Sequence, residues 1–149
     1  MKVLEELMGV TAALEADAVE YALVGGLAVA VWGAPRATKD IDLLVLPDAL
    51  DAAMAAVARC GFTLCAAPLR FRDGMDLQRV SKVEAGAHMT VDFILVNESL
   101  QPIWASRQRV HTDDGPLCVV SRDALVAMKA QAARPQDIAD IERLKDGDR

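Results

Sequence analysis

At 149 residues and a formal net charge of −6, the chain is long enough for one domain with a buried core, and too acidic overall to grip duplex nucleic acid through charge alone. Hydrophobic residues make up 53% of it but aromatics only 4%, and much of the apolar content is alanine, which favours helices packed on a sheet over a β-sandwich. There is no run of about 18 or more apolar residues, and the N-terminus carries Glu5 and Glu6 where an export signal would be basic, so a cytoplasmic location away from membranes is expected.

The charge is uneven. Residues 1–65 hold four Lys/Arg against nine Asp/Glu, and the remainder twelve against thirteen. Any nucleic-acid contact would therefore need a local patch, for which Arg70, Arg72, Arg79 and Lys82 are the candidates; the alternative is a solvated strand or loop edge. Cys60, Cys65 and Cys118 have no metal-ligand spacing and read as buried or semi-buried thiols of a reducing compartment. His88 and His111 are too few and too far apart for a histidine metal site.

In chain order, residues 3–18 place Leu4, Leu7, Thr11, Leu14 and Ala18 at helical spacing, an amphipathic helix. Residues 21–24 form a first strand ending on Gly25-Gly26. A small-residue helix, 27–32, follows this glycine turn, with Trp32 as a core wedge in preference to a place at a pocket mouth. After a loop containing Gly33, Pro35, Arg36, Thr38 and Lys39 comes a second strand, 41–46, led in by Asp40. Residues 48–59 are helical with Asp48 and Asp51 in the first turn, and Gly61 suits the position just past the helix end. A strand is expected at 62–66, a loop at 70–74, a strand at 77–83, a turn at 84–87 and a strand at 88–96. Residues 97–106 read as a helix and 110–120 as a hairpin turning at Asp113-Asp114-Gly115. Ser121 N-caps a helix at 122–132, and Pro135 opens the last one, through Leu144.

Two features of this order carry chemistry. Side chains alternate faces along a strand, so Asp40 and Asp42 point one way while Ile41, Leu43 and Val45 point into the core. Two neighbouring carboxylates repel and call for a cation or a proton between them, and a hard divalent metal is held by one or two carboxylates plus substrate phosphates. The strand–Gly25-Gly26–helix junction offers backbone N–H groups with no side chain in the way, which suits a phosphate. An anion cradle and a carboxylate pair in one segment point to phosphoryl or nucleotidyl transfer. A third carboxylate, Asp92, stands in the apolar run MTVDFILV, where a lone charge is costly unless paired or metal-bound.

Val24-Gly25-Gly26, thirteen intervening residues and Asp40-Ile41-Asp42 resemble the signature of the nucleotidyltransferase superfamily with the polymerase-β-like palm. The wider strings GGLAVAVWG and PRATKDIDLLV are similar to the small bacterial branch that includes AbiEii-type toxin nucleotidyltransferases. LVAMKAQAARPQDIADI fits the same branch, with Lys129, Arg134, Asp137 and Asp140 at its pattern positions. The resemblance implies an α/β (α+β) fold, a mixed, largely antiparallel central sheet flanked by helices, with residues 1–149 as a single domain. It implies catalytic and metal-binding roles for Asp40, Asp42 and Asp92, Asp92 also serving as general base, with Mg²⁺ (or Mn²⁺) as cofactor. It raises Gly25, Gly26, Arg36, Thr38 and Lys129 as nucleotide-binding residues. Lys129 would face phosphates or the carboxylates, whereas Arg134, Asp137 and Asp140 read as an ion-pair cluster joining two helices. The implied substrate is an NTP, and the implied acceptor an RNA such as tRNA, as for a toxin with an antitoxin partner. A protein or small-molecule acceptor, a non-catalytic nucleotide- or partner-binding module, and a homodimer are the competing readings.

Overall fold

The computed structural model of the chain describes residues 2–33, 38–72, 74–132 and 134–146. The elements run α1 (Val3–Ala16), β1 (Ala22–Val24), α2 (Gly25–Val31), β2 (Asp40–Val45), α3 (Leu50–Ala58), β3 (Leu64–Cys65), β4 (Leu69–Arg70), β5 (Asp76–Glu84) and β6 (Ala87–Leu95). They continue with α4 (Gln101–Ala105), β7 (Gln108–Thr112), β8 (Gly115–Val119), α5 (Arg122–Ala132) and α6 (Pro135–Asp146).

The strands form a mixed sheet in the order β3-β5-β6-β2-β1-β8-β7, with β4 also paired to β5. Most neighbours are antiparallel, but β2 runs parallel to β6 and β1 parallel to β8. The centre of the sheet is apolar because its residues are: Ile41, Leu43, Leu44 and Val45 on β2 and Val91 and Phe93 on β6 are all fully buried. Strand alternation separates the two faces. Lys82 of β5 reaches Glu6 of α1 at 3.0 Å, so α1, with α3 packed on it, covers that face. The face bearing Arg79 is left for the cavity described below, beside α2 and α5.

The expected fold class holds, and the local differences have local causes. The helix expected from 27 is already counted from Gly25, whose φ of +72° makes the bend out of β1 at the residue that opens α2. The strand expected at 62–66 shrinks to Leu64–Cys65: Gly61, at φ +94°, turns Phe62 into the core, and Pro68, with no N–H to give, follows soon after. The loop expected at 70–74 begins with a short strand, where Arg70 pairs with Asp76 across β4 and β5 at 2.7 Å. In the helix expected at 97–106 the side chain of Asn97 accepts from Leu100 N–H, holding a 3₁₀ turn before the five residues of α4. Ser121 caps α5 as its position suggests, accepting from Ala124 N–H at 3.1 Å. Trp32 is half-buried against the core, and its indole donates to the Val120 carbonyl at 3.0 Å. Among the described residues no helix is long and apolar enough to cross a membrane.

Phe93 fills the core from the middle of β6. Phe93→Ala should cost about 3–5 kcal/mol in urea unfolding, whereas Val83→Ala, on the exposed end of β5, should stay within about 0.5 kcal/mol.

Candidate active site

The site is built by register. Parallel pairing of β2 with β6 sets Asp42 directly opposite Asp92 and Asp40 opposite Thr90. Antiparallel pairing of β5 with β6 sets Arg79 opposite Asp92 on the other side. Side chains opposite one another on adjacent strands share a face, so Asp42, Asp92 and Arg79 form a row across three strands. Asp40, one pleat along β2, stands at the exposed end, where Thr90 Oγ1 donates to its Oδ1 at 2.8 Å. Thr38 shapes the entry to β2: its hydroxyl oxygen accepts from the Asp40 N–H at 3.3 Å, leaving its own proton to donate.

The row opens into a cavity of about 630 Å³. Gly25, Gly26, Thr38, Asp40, Asp42, Arg79, Asp92, Lys129, Arg134 and Asp137 all line it. A second stretch of wall is apolar. Leu77 and Ile94 stand opposite one another one pleat beyond Arg79 and Asp92, and Phe71, Met75, Leu125 and Met128 are further apolar residues of the lining, nearby in the chain or on α5. The cavity lining therefore combines charged residues with an apolar stretch.

Gly25 is required by contact as well as by backbone. Its φ of +72° is a conformation L side chains rarely adopt, and a Cβ built there would run into Asp42 Oδ2. The bare glycine lets the carboxylate lie against the start of α2.

Asp42 has its pKa pushed up to about 7 by burial, with the charges of Asp92 and then Asp40 adding to it; Lys129 and Arg79 pull the other way but do not cancel it. This is the electrostatic state of a carboxylate short of positive charge, and it is the test of whether a divalent cation fits. Asp40 and Asp42 fit: they share a face and open to the cavity. Asp92 is different, because Arg79 Nε meets its Oδ1 at 2.8 Å and Nη2 its Oδ2 at 2.9 Å. Among the described residues no three carboxylates stand ready as a cation cage. Asp92 could join Asp40 and Asp42 only as Arg79 gives way.

A second charged group lies beneath, between α5 and α6. Lys129, 6% exposed, places its ammonium 3.3 Å from Asp137 Oδ1 and 2.9 Å from Asp140 Oδ2, and both carboxylates are fully buried. Arg134 closes the group with a fork onto Asp137, Nε–Oδ2 at 2.7 Å and Nη2–Oδ1 at 3.2 Å, while Gln136 donates to Asp140 at 2.8 Å. Burial opposes ionisation of Asp137, but the Arg134 side-chain and backbone hydrogen bonds, with the charges of Arg134 and Lys129, hold it below the usual range. Lys129 thus lines the cavity with its ammonium already engaged by two carboxylates.

The structure brings Gly25, Gly26, Thr38, Asp40, Asp42, Asp92 and Lys129 to one cavity, whereas Arg36 lies outside the described residues. Lys39 is exposed and turned away from it, beside a smaller depression of about 200 Å³. The basic patch proposed from sequence does not form as such: Arg70 is paired with Asp76, Lys82 with Glu6, and Arg79 with Asp92. The role of Arg79 and the apolar stretch escaped sequence reading. The only signal was the alternation Leu77, Arg79 on β5 against Asp92, Ile94 on β6, which needs the register to be read.

Two measurements check this geometry. Gly25→Ala should lower stability by about 1–3 kcal/mol in urea unfolding, from backbone strain and the displaced Asp42 carboxylate. Asp42 ionises near 3.8 when unfolded and near 7 when folded, so the folded state holds the extra proton between those values. Stability in metal-free buffer should therefore fall as pH rises through that window and level off above it. Asp42→Asn should flatten the fall, as read from unfolding midpoints at about pH 5 and about pH 8.

A family model described as nucleotidyl transferase AbiEii toxin, type IV toxin–antitoxin system, matches residues 7–148. Comparison with curated proteins gives no match. Among solved structures, the lincosamide antibiotic adenylyltransferase LnuA, bound to lincomycin, superposes with a TM-score of 0.66 at 17% identity, over 95% of each chain. A putative nucleotidyltransferase, TM1012 from Thermotoga maritima, gives 0.66 at 14% identity over 96% of this chain and 92% of its own. The antibiotic-resistance factor ANT(2'')-Ia gives 0.65 at 16% identity over 97% and 81%. Identities this low speak for the fold alone, and it is the family match, spanning nearly the whole sequence and both charged clusters, that settles kinship: the chain belongs to the AbiEii family of nucleotidyltransferases.

Proposed function

We propose that the chain moves a nucleoside monophosphate from an NTP to a hydroxyl of an RNA acceptor such as tRNA, acting as the toxin of a toxin–antitoxin pair, with all its catalytic groups in a single domain over residues 1–149. The observation that carries the transfer reading is the in-register Asp42–Asp92 pair, with Asp40 beside it, on a cavity wall that also holds Gly25-Gly26 against Asp42. Asp40 and Asp42 are the residues to hold Mg²⁺ (or Mn²⁺), which when bound offsets charge on the reacting phosphates and aligns them. Gly25 and Gly26 give the phosphates a wall free of side chains. Thr38 has a hydroxyl proton to donate to them, and Arg36 follows from the sequence pattern. The charge of Lys129 acts from below, favouring the ionised form of Asp42. Asp92 takes the proton of the attacking hydroxyl, the hydroxyl oxygen bonds to the α-phosphorus, and pyrophosphate leaves with the broken P–O bond. The family description supports the toxin role and an antitoxin partner.

A small hydroxyl-bearing acceptor is the second reading, and the apolar lining favours it. Leu77, Ile94 and Phe71 give the same cavity as the carboxylates an apolar stretch of wall. LnuA, bound to lincomycin, and ANT(2'')-Ia, in complex with adenylyl-2''-tobramycin, share the fold.

The test is transfer of label from each α-³²P NTP, with Mg²⁺, to total RNA, total protein or a panel of small hydroxyl compounds. The expected result is label on RNA, abolished by EDTA. Asp42→Asn should lower transfer at least about a thousandfold while circular dichroism stays unchanged. Full activity in that variant would remove the site from consideration, and label on small compounds alone would select the second reading.

A further inference from the structure

Arg79 and Asp92 face one another across β5 and β6, and the guanidinium takes both carboxylate oxygens. The two ends of this pair live in different surroundings. The Asp92 side chain is 6% exposed, whereas that of Arg79 is 45% exposed and lies on the cavity wall. A purely structural tie between two strands has no need of the catalytic row, yet this one ends on the carboxylate opposite Asp42. While the fork is in place, Asp92 has given up part of its charge and half of its lone-pair sites to a half-exposed cation, and it is the buried carboxylate that needs a replacement cation when the fork opens.

We propose that Arg79 is an exchange residue for the nucleotide: its fork on Asp92 is the resting state, and an arriving triphosphate draws the guanidinium onto its phosphates, freeing Asp92 for the cation. This rests on the nucleotidyl-transfer reading and deepens it. The chemistry of the exchange is balanced. A planar fork fits two phosphate oxygens as it fits a carboxylate, so Arg79 keeps its two charge-assisted hydrogen bonds. Asp92 trades a monovalent partner for a share in a divalent one. Neither half of the exchange is favourable alone. A metal arriving first meets Arg79 as a like charge beside Asp92, and a metal-free triphosphate meets three carboxylates. The two ligands therefore bind with positive coupling, and by linkage each raises the affinity of the other by the same factor.

The experiment measures Mn²⁺ binding by electron paramagnetic resonance, on the full chain, with and without an α,β-methylene NTP analogue. In the wild type the analogue should raise Mn²⁺ affinity about tenfold or more. Arg79→Met should bind Mn²⁺ alone about fivefold more tightly than wild type, because Asp92 is released, and its coupling should fall below about twofold. Its affinity for the analogue should drop about tenfold. Arg79→Lys, which keeps the charge but not the fork, should fall between the two and recover part of the coupling. If Arg79→Met does not give a cooperative melt, Arg79→Lys carries the test through the same two affinities.

An Arg79 variant that binds Mn²⁺ no more tightly than wild type, or retains the full coupling, overturns the exchange and leaves Arg79 a strand tie. If that happens while the wild type still transfers nucleotide, the exchange falls alone. A wild type that binds neither Mn²⁺ nor the analogue sinks the transfer reading and the exchange with it.

Discussion

Three like charges brought onto one face of a sheet are the constraint from which the rest of the site follows. Parallel pairing of β2 with β6 puts Asp42 and Asp92 side by side, and strand alternation adds Asp40. Apolar packing on the other face, where Ile41, Leu43, Val91 and Phe93 are buried, holds that register against the repulsion, because slipping either strand by one residue would expose its whole core row. The molecule answers the repulsion in three ways: Asp42 holds its proton up to about pH 7, Asp92 takes Arg79, and Asp40 stays at the exposed end with Thr90.

The surroundings can be understood as accommodations to that row. Gly25 carries no side chain because the Asp42 carboxylate lies where a Cβ would be. Buried Lys129, Asp137 and Asp140, with the exposed Arg134 forked onto Asp137 from outside, tie α5 to α6 and bring two cations near the carboxylate cluster. Lys129 from within and the solvated Arg134 from the rim offset the cost of burying two carboxylates together. The net field this group exerts on Asp42 is modest, since burial and the neighbouring aspartates outweigh Lys129 there.

The cavity also combines two kinds of lining. Its charged side has the donors and acceptors that phosphate chemistry needs, and Leu77, Ile94 and Phe71 make an apolar stretch of the same lining. An apolar wall of this kind offers contact area and no hydrogen-bonding groups of its own. Specificity for an acceptor would then depend on what rims the cavity and on any partner that covers it.

Much of the fold and part of the site were legible in the residues themselves. The periodicity of 3–18, the glycines at 25–26, the apolar runs around Asp42 and Asp92, and the Ser121 cap each act over a few neighbouring positions, so local physics suffices to read them. The three carboxylates stood out for the same reason: a charge among Val, Phe, Ile and Leu needs a partner wherever the chain goes. Which partner it finds is not local. That Asp92 faces Asp42 on one side and Arg79 on the other depends on two strand registers, and these are chosen by the whole core at once. Likewise Lys129 was visible as a cation on an apolar helix, but only the packing of α6 against α5 gave its charge to Asp137 and Asp140. Sequence alone determined which groups must be neutralised; the tertiary structure decided by what, because pairing across a sheet is settled by contacts between residues far apart in the chain.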